Sequence, residues 1–182
     1  SMLTVEHLGK TFVSCFGRRV KAVRDVSFHI KAGTTFGLMG NSGCGKTTLS
    51  RMLLRLLDSD CGRILFDGQD ITDMSITDRA NLGISFAFQQ PVRFKGVQVL
   101  DLLRLVAKKK LSVAEACQYL AEVGLCAKDY INREVNASLS GGELKRIEIA
   151  SVIARASKLS VFDEPEAGID LWSFQNLIQV FE

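Results

Sequence analysis

The sequence predicts an α/β fold from three observations. Apolar and polar side chains alternate near the N-terminus, most clearly at residues 3–8 and 22–30, which is typical of paired strands. Residues 35–39 form a short apolar run ending in a cluster of glycines, and apolar residues at helical spacing follow at 47–57. Residues 159–162 predict a buried strand that ends in two carboxylates. Strands interleaved with helices in this way predict a sheet with helices packed against it.

The composition of the 182 residues is that of a globular domain, with 47% hydrophobic and 24% charged residues. No apolar run reaches the roughly eighteen residues that suggest a membrane-spanning helix. The net charge of +3, from 23 basic and 20 acidic residues, is too balanced to indicate a nucleic-acid partner. The five cysteines form no CxxC pair, which predicts free thiols in a reducing compartment and hence a cytoplasmic protein.

The other elements have weaker but recognisable local signals. Asp67-Gly68 is typical of a tight turn after a strand. A capping box formed by Ser112 and Glu115 starts a new helix within a longer helical stretch. The predicted elements are strands at 63–66 and 84–88, with helical periodicity at 99–123, 140–155 and 171–181.

This order of elements predicts one domain with an insertion. We expect a core formed by residues 1–91 and 137–182. The mainly helical residues 92–136 would form a subdomain inserted into that core.

The glycine cluster matches the phosphate-loop pattern GxxxxGK[ST] and lies between a predicted strand and a predicted helix. Glycines let successive backbone N–H groups turn inward around phosphate oxygens, and the following helix adds its unpaired N–H groups. Lys46 is expected to reach the β- and γ-phosphates, and the Thr47 hydroxyl to bind Mg²⁺. The sequence therefore predicts a nucleoside triphosphate site. Its residues are Gly40, Asn41, Ser42, Gly43, Cys44, Gly45, Lys46, Thr47 and Thr48.

The strand at 159–162 delivers Asp163 and Glu164 to the place where a parallel sheet binds its ligand. Asp163 can hold Mg²⁺ through water. Glu164 is then expected to polarise the water that attacks the γ-phosphate, a role typically contributing about 10²–10⁴ in rate.

A second anion site is predicted where residues 139–143 have the sequence LSGGE. Ser140 and Glu143 form a capping box, so a helix begins there with Gly141 and Gly142 in its first turn. Bare N–H groups and a serine hydroxyl at a helix N-terminus favour an anion. Because the chain already has a phosphate loop, this second site is most useful in trans, on the nucleotide of a partner subunit.

These motifs resemble the nucleotide-binding domain of ABC (ATP-binding cassette) ATPases along the whole chain and in the family's order. GNSGCGKT is similar to the Walker A loop, LSVFDE to the Walker B strand and LSGGE to the signature, with glutamate where glutamine is commoner. The resemblance implies an N-terminal antiparallel β-subdomain, a P-loop core and a helical signature subdomain. It also places Glu164 in the position of the catalytic glutamate.

The resemblance assigns three further residues. Gln89 matches the Q-loop glutamine, which contacts Mg²⁺ and the attacking water and senses the partner protein. Asp170 matches the D-loop aspartate, although AGID replaces the usual SALD. Phe12, or else Phe16, is in the position of the aromatic residue that stacks on adenine.

The resemblance implies a dimer that encloses two Mg·ATP, each between Walker A of one chain and the signature of the other. The family also places a switch histidine on a strand after the D-loop. Both histidines here, His7 and His29, precede the phosphate loop. We therefore interpret the chain as truncated at its C-terminal end, and expect it to bind ATP but to hydrolyse it weakly.

The resemblance leaves the pathway open. Residues 20–72 are similar to peptide and nickel importer ATPases, whereas residues from about Asp78 are more similar to the SUF (SufC-like) iron–sulfur assembly ATPase. We favour a homodimer or paired ATPase subunit docked on a membrane permease through a groove at 92–105, which would hold it at the inner face of the membrane. The alternatives are a SUF ATPase bound to soluble scaffold proteins, and a non-catalytic ATP-binding fragment.

Overall fold

The computed structural model describes residues 2–87 and 96–164, which fall into two compact units, Ser1–Leu82 and Gly83–Glu182. The predicted helix at 171–181 lies outside the described residues.

The first unit is built on an antiparallel sheet, as the resemblance implies. Its strand order is β2-β1-β3-β4, and the long β1–β2 hairpin is interrupted by register shifts. One face of the sheet contributes buried residues such as Leu3, Val5 and Ile64 to the core. The elements of this unit are β1 (Leu3–Val13), β2 (Arg19–Ile30), α1 (Lys46–Leu53), β3 (Cys61–Phe66), β4 (Gln69–Asp70) and α2 (Ile76–Leu82).

The turn predicted at Asp67-Gly68 is confirmed, and it joins β3 to β4. Asp67 and Gly68 have φ angles of 48° and 81°, the left-handed conformation that a two-residue hairpin turn requires. Aspartate tolerates this conformation better than most residues, and glycine adopts it without strain.

The strand predicted at 35–39 is wrong for this structure. No strand in the described part of the chain pairs with these residues, and all five are exposed. Phe36 instead stacks on Phe28 of β2, with ring centroids 5.1 Å apart and planes 9° from parallel. An apolar run becomes a strand only when a neighbouring strand accepts its backbone hydrogen bonds, and periodicity alone does not supply that neighbour.

Helix α1 ends at Leu53 and not at residue 57, the end that its apolar periodicity predicts. The buried Arg79 of α2 donates from Nη1 to the carbonyls of Met52 and Leu53, at 2.8 and 2.7 Å. Its Nη2 donates to Ile71 and Thr72, at 2.6 and 2.8 Å. Burial lowers the pKa of Arg79 to about 10, so the guanidinium stays charged at neutral pH. A guanidinium bound to these last carbonyls caps the helix and fixes its end.

The second unit contains a parallel pair of strands and a helical core. Strand β5 pairs with β6 from Ile84 opposite Leu159 to Ala87 opposite Phe162, which confirms both predicted strands within the described residues. Buried side chains from α3, α4 and α6 form one hydrophobic cluster. The elements of this unit are β5 (Ile84–Ala87), α3 (Val99–Ala107), α4 (Val113–Glu122), α5 (Ala127–Tyr130), α6 (Gly141–Arg155) and β6 (Leu159–Phe162).

The helical stretch predicted at 99–123 divides at the expected capping box. Helix α3 ends at Ala107, because its C-cap Lys108 has a φ of 51° and breaks the helix. Ser112 then caps α4, and both halves of the box with Glu115 are present. No helix among residues 2–87 and 96–164 has the length and apolar character needed to cross a membrane.

Candidate nucleotide site

The glycine loop lies in the first unit and leads directly into α1. Gly43 and Gly45 have φ angles of 80° and 101°, a region that residues with a Cβ avoid. A Cβ at Gly45 would clash with the carbonyl oxygen of Ala22, so a larger residue would displace the loop from β2. Gly45 is also the N-cap of α1, and no side chain caps this helix. A helix that begins without a side-chain cap is suited to receive an anion at its first turn.

Lys46 folds its side chain back over the loop. Its Nζ donates to the carbonyl oxygens of Gly40, at 2.5 Å, and of Asn41, at 3.0 Å, and lies 3.6 Å from Cys44 Sγ. The structure therefore brings together four residues of the predicted site, namely Gly40, Asn41, Cys44 and Lys46. Backbone N–H groups and an ammonium group both donate hydrogen bonds to an anion. A glycine loop that holds Lys46 is therefore suited to bind the phosphates of a nucleotide. Thr47 and Thr48 follow on α1, partly buried.

The acidic pair lies in the second unit, directly after β6. Asp163 is 7% exposed, and its N–H lies 3.5 Å from the carbonyl oxygen of Ala87 on the neighbouring strand β5. Glu164 is exposed and has a φ of 47°. Such a left-handed conformation is costly for a residue with a long side chain and occurs often at functional sites.

The LSGGE segment forms the start of α6, and the predicted capping box is confirmed. Glu143 N donates to Ser140 Oγ at 3.2 Å, and Ser140 N donates to Glu143 Oε2 at 2.6 Å. A Cβ added at Gly141 would meet no atom within 4 Å, so the space beside the first turn is open. The N–H groups of Gly141 and Gly142 lie in this first turn and have no helical acceptor.

Two further residues contact Glu143 but have no signal in the sequence. Tyr130, at the end of α5, donates its hydroxyl to Glu143 Oε1 at 2.5 Å, and Arg133 Nη1 lies 4.0 Å from the same oxygen. The hydrogen bond from Tyr130, followed by that from Ser140 N, lowers the pKa of Glu143. The same hydrogen bond raises the pKa of Tyr130. No motif joins these residues, because the contact is made between side chains of two separate helices, α5 and α6.

The two candidate adenine-stacking residues differ in their surroundings. Phe12 lies on β1 opposite Val20 of β2, is 43% exposed, and has Lys10 Nζ 5.9 Å from its ring centroid. Phe16 lies in the β1–β2 connection and is 96% exposed. A ring fixed in a strand loses less freedom on stacking than one in an exposed turn.

The predicted residues Gln89 and Asp170 lie outside the described residues. The two predicted metal ligands that are described lie in different units, Thr47 in the first and Asp163 in the second. Within the described ranges, no group of three His, Cys, Asp or Glu side chains is arranged to hold a metal ion.

The sequence profile of the ABC transporter family matches residues 23–167, which include the glycine loop, the LSGGE segment and the acidic strand end. The chain belongs to this family. It is the nucleotide-binding domain of an ABC-type ATPase, as the resemblance of its motifs implies.

Similar proteins carry the same assignment. The chain is 37% identical over 168 residues to the uncharacterised ABC transporter ATP-binding protein MJ0035 of Methanocaldococcus jannaschii, covering 88% of this chain and 67% of that protein. It is 32% identical over 186 residues to the lipopolysaccharide export ATP-binding protein LptB of Haemophilus influenzae, covering 99% of this chain and 74% of LptB. The chain thus spans about two thirds to three quarters of these relatives. Their names point to transporter ATPases and not to iron–sulfur assembly.

The fold agrees with that of solved cassettes. The structure of the ATP-binding cassette MJ0796, a dimeric post-hydrolysis state bound to ADP and phosphate, superposes with a TM-score of 0.85 at 23% identity. That comparison covers 98% of this chain and 81% of MJ0796. It confirms the predicted P-loop fold of ABC type.

Proposed function

We propose that this ABC domain binds Mg·ATP through its glycine loop and uses it to drive work in a membrane partner. The observation that carries this proposal is the loop itself, where the Lys46 ammonium lies against bare backbone at the start of α1. Residues 40–48 would hold the phosphates, with Lys46 on the β- and γ-oxygens. Phe12 would stack on the adenine ring.

Hydrolysis would be carried out at the end of β6. Glu164 would accept a proton from the attacking water, and Gln89 would orient that water. Thr47, Asp163 and Gln89 would hold Mg²⁺, which neutralises charge on the phosphate oxygens. The burial of Asp163 and the exposure of Glu164 support these two different roles. A buried carboxylate is suited to hold a fixed cation, whereas the exposed Glu164 can reach water.

Ser140, Gly141 and Gly142 would bind the γ-phosphate held by a partner cassette, with Asp170 at the same interface. Ser140 Oγ accepts from Glu143 N, so its own proton is available to a phosphate oxygen. The resulting contact is the same on both chains, as two-fold symmetry requires. ATP would favour the closed pair, a homodimer or a pair with a related subunit, and hydrolysis would release it.

The partner would be a membrane permease that docks along residues 92–105. In the described part of this segment, α3 buries Leu102 and Leu103 but leaves Leu105 76% exposed. An exposed leucine beside a buried face is suited to receive an apolar segment of a partner. The chain would then lie at the cytoplasmic face of the membrane, and residues 92–136 would act as the helical subdomain that transmits closure.

Light scattering with and without Mg·ATP tests this function directly. We expect Glu164→Gln to bind ATP, retain it and reach twice the monomer mass. Lys46→Ala should remain monomeric and lose tight ATP binding, because a charge-assisted phosphate contact is removed. Hydrolysis by Glu164→Gln should fall by about 10²–10⁴.

Two results would contradict the assignment. Wild-type turnover by Glu164→Gln would exclude Glu164 as the base. Unchanged ATP affinity in Lys46→Ala would exclude the glycine loop as the phosphate site.

A further inference from the structure

The signature helix carries a charge opposite to the one expected at a phosphate site. Glu143 lies at the third position of α6, within the first turn that offers its N–H groups to an anion. A carboxylate this near would repel the γ-phosphate while both are ionised. The glutamine commoner at this position in the family would not.

The structure shows where this carboxylate is held. Its Oε2 accepts from Ser140 N at 2.6 Å, and its Oε1 accepts from the Tyr130 hydroxyl at 2.5 Å. Arg133 Nη1 lies 4.0 Å from Oε1, and the Arg133 guanidinium lies 5.1 Å from the centroid of the Tyr130 ring. Both carboxylate oxygens are therefore bound on the side of the N-cap and α5.

These contacts tie the carboxylate to the N-cap and to Tyr130. Beside Gly141 there is room for a ligand, since a Cβ there would meet nothing within 4 Å. Arg133, 38% exposed at its side chain, adds a positive charge that offsets the carboxylate.

We propose that Tyr130 and Arg133 are positioning residues of the signature, which hold the Glu143 carboxylate against the N-cap and so keep the glycine N–H groups available to the γ-phosphate of a partner subunit. This inference rests on the proposed function, because it requires that the signature acts in trans. A purely structural role would be different: Tyr130 would then only tie α5 to α6, and the charge on Glu143 would not matter.

A double-mutant cycle separates the two roles. In the Glu164→Gln background, the protein concentration that gives half-maximal dimer at saturating Mg·ATP is measured for Tyr130→Phe, Glu143→Gln and their combination. We expect Tyr130→Phe to raise this concentration about tenfold, since a hydrogen bond to a charged group is lost. Glutamine at position 143 has no charge. In the Glu143→Gln variant, Tyr130→Phe should therefore change the concentration for half-maximal dimer less than twofold.

Three controls make the result specific. The affinity of the monomer for a fluorescent ATP analogue should be unchanged in every variant, because no residue of the glycine loop is altered. Tyr119→Phe changes the other tyrosine of the chain, which lies on α4, and should dimerise like its parent. Thermal unfolding checks that each variant is folded; if Tyr130→Phe is not, Arg133→Gln replaces it in the same cycle.

The outcomes are distinct. Equal losses from Tyr130→Phe with and without the Glu143→Gln substitution, or no loss in either case, would overturn the positioning role. If the Glu164→Gln parent does not dimerise with Mg·ATP, or if Ser140→Ala dimerises equally well, the proposed use of the signature in trans has failed and the inference fails with it.

Discussion

Helices α4 and α6 begin with the same capping pattern, yet of the two only α6 has glycines in its first turn. In both helices the N-cap serine accepts from the backbone of a glutamate three residues later, and the glutamate accepts from the serine backbone. The residues between them differ: Val113-Ala114 in α4 and Gly141-Gly142 in α6. The first turn of α4 therefore carries a side chain at both positions, whereas Gly141 and Gly142 leave the backbone of α6 without one.

The partners of the two glutamates differ as well. Glu115 pairs with the exposed Lys109 at 3.1 Å, a contact that contributes only to the helix start. Glu143 is held by a tyrosine from another helix. A capping box therefore predicts where a helix begins, and the residues inside and around the box decide whether that beginning can bind a ligand.

The largest expected effect comes from filling the open first turn of α6. Gly141→Ala should fold at least as stably as the parent, because the added methyl group meets no atom and alanine favours helix. Its dimerisation with Mg·ATP, measured by light scattering on the Glu164→Gln background, should weaken about tenfold or more, since a hydrogen bond to a charged group contributes about 1.5–3 kcal/mol.

Val113→Gly is the matched control at the same position of α4. It should unfold at a lower urea concentration than the parent, but it should dimerise like the parent. Undiminished dimerisation of Gly141→Ala would show that the two helix starts do not differ in the way described.

A smaller effect is expected from removing the two caps. Ser112→Ala and Ser140→Ala should each reduce the free energy of unfolding by about 1 kcal/mol, because each loses the acceptor for one N–H group of its first turn. Urea unfolding followed by circular dichroism measures both. A cost at Ser140 near zero would mean that its cap has no part in stability.

The smallest effect concerns acid stability. Hydrogen bonds from Ser112 N, then from Lys109 and the Ser112 hydroxyl, lower the pKa of Glu115 from 4.5 to about 2. The ionised form therefore stabilises the fold above about pH 4.5, and this contribution is lost as the pH falls towards 2. Glu143, whose pKa is lowered by Tyr130, acts in the same direction.

Glu115→Gln should reduce the dependence of stability on pH between 4.5 and 2, as followed by urea midpoints at several pH values. Glu143→Gln should also reduce it below pH 4.5, its ordinary pKa. If the urea midpoints of both variants fell with decreasing pH as those of the parent do, the assigned hydrogen bonds would be contradicted.

Local chemistry was predictable from the sequence wherever a few neighbouring residues determine the conformation. The Asp67-Gly68 turn and the caps at Ser112 and Ser140 are of this kind, as is the start of α1 at the glycine loop. The family resemblance then supplied the order of the motifs, and the family profile agrees with it.

Long-range contacts were not predictable. Residues 35–39 have the apolar character of a strand, but pairing depends on a neighbour that the local sequence does not specify. The end of α1 depends on Arg79, and the environment of Glu143 depends on Tyr130. Each of these contacts joins separate elements, and the periodicity within one helix or strand does not predict such contacts.

The Arg79 contacts also bear on how the protein folds during synthesis. The guanidinium that binds the last carbonyls of α1 lies 26 residues further along the chain than Leu53. A ribosome adds residues at about 5–20 per second, so α1 emerges a second or more before its cap. Until residue 79 has been synthesised, the last carbonyls of the Walker A helix lack the guanidinium that binds them in the folded protein.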